Sequence, residues 1–87
     1  MPPLNWTIIE PNIHEAREQL EEIERRLSKR AGISKIEFQI MMQHAYHHLN
    51  FAWNAREAPT RRYTHLSDEG FDRWGKLPED LDFQEHE

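Results

Sequence analysis

The chain has no cysteine in 87 residues, and that one absence removes disulfides, thiolate metal sites and cysteine nucleophiles together. A chain this short is expected to form one domain with a modest core, which needs a metal, a partner subunit or close helix packing to support it. Glycine is also scarce, at three residues, and there is no repeat or low-complexity stretch. Long apolar runs are missing: no window approaches the roughly 18 consecutive apolar residues that a membrane-spanning helix requires. The first ten residues lack a basic segment, and Ile8-Ile9 runs straight into Glu10-Pro11. Neither a signal peptide nor a membrane association is therefore expected, and the expected compartment is the cytoplasm.

An excess of positive charge is lacking as well. The net charge is −5, and it is unevenly placed. Residues 1–76 hold all 11 Lys and Arg against 11 of the 16 Asp and Glu, so they sum to zero. The remaining five acids, Glu79, Asp80, Asp82, Glu85 and Glu87, make 77–87 an acidic tail. Such a tail disfavours nucleic acid and anionic lipid. Its spaced apolar residues Leu77, Leu81 and Phe83 suit either a strap packed on the body or a docking peptide for a protein partner.

What is present reads as helix throughout. After an extended segment over 1–10, a first helix is expected over 11–31, starting at Pro11, where a missing amide costs nothing. Ile13, Ala16, Leu20, Ile23 and Leu27 follow a 3-4-3-4 spacing that makes one apolar seam. Glutamates crowd its first half and Arg25, Arg26, Lys29 and Arg30 its end, which complements the helix dipole. Glu21–Arg25 and Glu22–Arg26 stand at i,i+4. Gly32 stops it. Ser34-Lys35-Ile36-Glu37 is a capping box opening a second helix over 34–58, ended by Pro59. A connection of two to four residues makes the two helices antiparallel neighbours. Arg61 to His65 reads as a linker, and a short third helix is expected over 67–75, capped by Ser67.

From Phe38 to Ala55 there is no Lys, Arg, Asp or Glu, which marks the second helix as central. At about 100° per residue, Phe38, Met41, Met42, Ala45, Leu49, Ala52 and Trp53 share the face expected to pack on the first helix. Ile36, Ile40, His44, His47, Phe51 and Ala55 form a second stripe. A helix with two such faces needs two partners, so a homodimer with a four-helix core is expected, with that second stripe as its interface.

Three of the six histidines, His44, His47 and His48, lie within five residues of one another. His44 and His48, at i,i+4, can project toward one ion such as zinc, with His14, His65 or another subunit supplying a third ligand. Against this, there is no HExxH, and Met41, His44 and Ala45 stand where a di-iron bundle would carry Glu. As interface residues, the rings would instead hydrogen-bond to Gln43, Asn50 or Asn54 and be held neutral. No catalytic constellation is visible, because Ser28, Ser34 and Ser67 have no base or glycine elbow around them. The pattern favours a non-enzymatic protein–protein interaction module that needs no cofactor. A metal-binding, metal-dependent hydrolytic protein centred on His44 and His48 is the competing class.

Overall fold

The computed structural model describes residues 3–30 and 32–81. They form four helices and no strand: α1 (Trp6–Leu27), α2 (Lys35–Asn54), α3 (Thr60–Thr64) and α4 (Asp68–Trp74). The two long helices pack antiparallel, and the two short ones close over one end of the pair. Asp82 and Phe83, together with Glu85 and Glu87 of the acidic tail, lie outside the described residues.

α1 begins at Trp6 rather than Pro11, so the N-terminal segment is not extended along its whole length. The cap is Asn5, whose side chain accepts from the Thr7 amide at 3.1 Å. The same side chain donates to the Ala58 carbonyl at 2.8 Å and to Thr60 Oγ1 at 3.0 Å, while the Asn5 amide donates to the Arg56 carbonyl at 2.6 Å. Asn5 thus clasps the start of α1 to the turn after α2. That tertiary hold, together with burial of Ile8, outweighs the penalty of Pro11 inside the helix, where proline leaves the Thr7 carbonyl without its helical partner.

α1 also stops earlier than its sequence suggests, at Leu27. The connection is residues 28–34, longer than expected. Gly32 sits there at φ 65°, a left-handed conformation that side chains resist. The ion pairs differ too. Arg25 pairs with Glu22 one turn back, Arg17 with Glu21, and Arg26 leaves α1 altogether to reach Glu37 on α2 at 2.6 Å. Ser34 caps α2 by accepting from the Glu37 amide at 3.1 Å, and Arg26 draws the Glu37 carboxyl below its usual pKa, with Ser34 assisting.

α2 ends at Asn54, four residues short of the expected Ala58, and the segment read as a linker contains the single turn of α3. Ser67 caps α4 by accepting from the Gly70 amide at 3.1 Å. The main core gathers at this end: Ile8 from α1, Phe51 and Ala55 from α2 and Trp74 from α4 are buried together, flanked by Ala58, Tyr63 and Leu66. Phe51 meets Trp74 edge-on, with ring centroids 6.2 Å apart, and Tyr63 stacks on Trp74 at 6.0 Å. At the far end the hairpin is only two helices, sealed by Ala16, Ile23, Met41 and Ala45.

Candidate functional site

The stretch of α2 expected to carry the chemistry projects His44, His47 and His48 from successive turns. The structure brings two of them together: His44 Nε2 and His48 Nε2 lie 3.2 Å apart. His48 is held from behind by α1, where Asn12 Oδ1 is 3.0 Å from His48 Nδ1. Asn12 is itself buried. Its amide nitrogen donates to the Ile8 carbonyl at 2.9 Å and contacts Tyr63 Oη at 3.1 Å.

This network assigns protons. A carbonyl only accepts, so the Asn12 group facing Ile8 must be the NH₂ and the one facing His48 must be the oxygen. His48 therefore donates from Nδ1, and in its neutral form it carries a lone pair on Nε2 that accepts a hydrogen bond from the Nε2–H of His44. Asn12 is not among the residues that the sequence pattern singles out. The clue to its role is its place in the stripe Ile8, Asn12, Ala16, Ile23, a polar residue among those that α1 buries.

His47 faces elsewhere. It packs on Phe51 at 4.5 Å and Phe71 at 5.0 Å, roofing the aromatic core rather than joining the pair. Burial lowers the pKa of His47 and of His48, and the charge of His44 adds to both. Glu15 on α1 partly opposes the fall at His48. The unfolded chain then takes up protons first, so the stabilisation is complete above the unfolded value of about 6.5 and is lost as pH falls from there through the folded pKa values. The melting temperature is expected to hold level from pH 8 to about 6.5 and then fall by a few degrees toward pH 5. The fall stays modest because both rings keep contact with water. A midpoint constant over that range would mean that the rings are not held neutral by the fold.

The remaining predicted residues divide. Ile36 and Ile40 stand exposed beside the histidines, whereas Phe51 and Ala55 are buried inside the chain against α4 and Ile8. The stripe expected to meet a second subunit is therefore half covered by the protein's own short helices. Asn50 and Asn54, expected to flank the histidines as hydrogen-bonding partners, hold α4 instead: Asn50 donates to the Gly75 carbonyl, and Asn54 to those of Trp74 and Lys76. His14 pairs with Glu18 at 2.6 Å on the open side of α1, and His65 lines a shallow pocket with Arg61 and Arg62. Among the described residues, no group of three or more His, Asp or Glu is placed to hold a metal ion.

The opposite side of the hairpin is open. Leu4, Trp6, Ile9 and Ile13 from the start of the chain and Leu49, Ala52 and Trp53 from α2 line an apolar groove of ≈ 460 Å³, with Arg56 at its end. Arg56 lies over the Trp53 ring at 3.9 Å, and Asp80 fixes both, accepting from Trp53 Nε1 at 2.9 Å and from Arg56 at 3.2 Å. The tail as far as Asp80 is thus strapped to α2. The hydrogen bond from Trp53, with help from Arg56, lowers the Asp80 pKa. No described helix is long and apolar enough to cross a membrane. Comparison with protein-family models, curated proteins and solved structures gave no match.

Proposed function

We propose that the protein is a self-associating helical module, two copies pairing through the open face of the hairpin into a four-helix core. The observation behind this reading is a seam cut in half. On α1, Trp6, Ile9, Ile13, Ala16, Leu20, Ile23 and Leu27 follow a heptad pattern of alternating three- and four-residue steps. Ala16 and Ile23 are buried against α2, whereas Trp6, Ile13, Leu20 and Leu27, at seven-residue intervals, remain 45–62% exposed. On α2 the matching series is Phe38, Met42, Ala45, Leu49 and Ala52. At about 100° per residue its exposed members, Phe38 and Leu49, lie on the groove side. A lone hairpin covers one flank of each seam, and a second hairpin covers the other.

A second copy fits in size and charge. With about 150–250 Å² for a large side chain, the exposed fraction of this face comes to roughly 700 Å², close to the ~800 Å² that each partner gives to a stable interface. The seam's outer edge carries Glu10, Arg17 and Glu24 at seven-residue intervals. Alternating signs of this kind let two antiparallel copies of α1 pair Arg17 with a glutamate of the other. The interface so placed is not the Ile36–Ala55 stripe that periodicity alone singles out.

Sedimentation equilibrium tests this. The wild-type chain at tens of micromolar is expected at twice its 10.6 kDa mass. A chain carrying Ile13→Glu and Leu49→Glu should sediment as a monomer with its helicity retained, since both side chains are half exposed. Ile40→Glu, on the other face, should leave the mass doubled. A monomeric wild type at 100 µM, or a double variant that stays paired, would rule out this reading.

A further inference from the structure

The histidine pair lies apart from the open face, and its chemistry is independent of whether the chain self-associates. We propose that His44 and His48 chelate a divalent late first-row transition ion (Zn²⁺, Ni²⁺ or Cu²⁺) through their Nε2 atoms, with Asn12 as the positioning residue. The separation of the two nitrogens is the central observation. At metal–nitrogen bonds of about 2.0–2.1 Å, a 3.2 Å gap corresponds to an angle at the ion of about 100°, between square-planar and tetrahedral geometry. The rings need little movement to admit it.

The support behind them has the form that metal-binding histidines use. Such a ring typically donates its other N–H to an oxygen, which fixes its orientation and tautomer. His48 has that partner in Asn12 Oδ1, and Asn12 is locked in turn by Ile8 and Tyr63. From the neutral pair, the His44 proton moves through solvent from Nε2 to Nδ1 as the ion binds, and no net proton is released. From a singly protonated pair, one proton leaves. The titratable groups near the pair are His47 on α2, turned toward Phe51 but edge-on to His48 at 5.3 Å, and Glu15 on α1, whose charge His48 feels. With two protein donors the other coordination positions are open to water or an added ligand, so the chelate is an exchangeable one rather than a closed structural site.

Calorimetric titration of the full untagged chain with Zn²⁺ and Ni²⁺ at pH 7.5 tests the proposal. The wild type is expected to bind saturably in the micromolar range. His44→Ala and His48→Ala are each expected to weaken binding at least tenfold, while His14→Ala leaves it unchanged. His44 is exposed, so its removal spares the fold. For Asn12 the comparison is Asn12→Leu, expected to lose about tenfold in affinity, with Asn12→Asp, which keeps an acceptor for His48 Nδ1 and should retain it. Imidazole nitrogen NMR shifts should move at Nε2 of both rings on adding Zn²⁺. Absence of saturable binding to 1 mM ion would overturn the proposal. So would binding that survives in both histidine variants.

Discussion

Replacing Phe51 with alanine is expected to lower the melting temperature by about 15–30 °C. Phe51 is 3% exposed and meets His47, Tyr63, Phe71 and Trp74, so it ties α2 to both short helices at the closed end. Truncating a buried phenylalanine costs about 3–5 kcal/mol, and about 1 kcal/mol shifts the midpoint of a domain this size by some 4–8 °C. α4, at seven residues, is far below the length at which a helix holds itself in water. The variant should therefore lose the helical signal of α3 and α4 and shift Trp74 fluorescence toward that of a solvated indole. Circular dichroism and fluorescence melts read both. A drop under 5 °C would mean that the short helices are not held by this ring.

The second large effect is expected at Asn12. Asn12→Ala removes the acceptor of His48 Nδ1 and the donor to Tyr63 Oη in one step, and it opens a small void beneath α2. An unsatisfied polar group costs about 1–3 kcal/mol, so with both partners part-exposed the loss should be about 2 kcal/mol. Urea unfolding of Asn12→Ala, Tyr63→Phe and the double variant separates the terms. If the Asn12–Tyr63 bond contributes, the double variant is less destabilised than the sum of the single ones. Additive effects, or an Asn12→Ala chain within 0.5 kcal/mol of wild type, would show that Asn12 does not organise this site.

Much of the framework was legible from residues alone, for reasons of local physics. Ser34 and Ser67 act as caps because a hydroxyl before an apolar run meets its own helix's amides whatever else the chain does. The antiparallel hairpin of two long helices follows from their periodicity and the break at Gly32. The start of α1 was not legible in this way, because proline at a first turn is the commoner arrangement. Only the distant partners of Asn5, namely Arg56, Ala58 and Thr60, move the cap upstream.

The same limit explains the site. Helical angles gave α2 two apolar stripes, but they do not say which residues of either the chain covers itself: Phe38 and Leu49, expected against α1, are exposed, and Phe51 and Ala55, expected at a second subunit, are buried. That depends on where α4 lands, and α4 is placed by the carbonyl contacts of Asn50 and Asn54. The i,i+4 meeting of His44 and His48 follows from helix geometry, whereas Asn12 lies 36 residues away in sequence from its ring.

The two halves of the molecule are joined on different length scales along the chain. Arg26 finds Glu37 within a dozen residues, so the far end of the hairpin closes a short loop. The clasp at Asn5 reaches residues more than 50 positions on, and Ile8 must meet Phe51 and Trp74. Loop-closure entropy must be met before such distant contacts reward it. Assembly is therefore expected to zip from the Gly32 turn and to finish at the chain's beginning, where Asn5 latches. In that order Asn12 meets His48, 36 residues on, before the Asn5 latch closes. The proton arrangement of the pair is in that sense decided one step before the fold is complete.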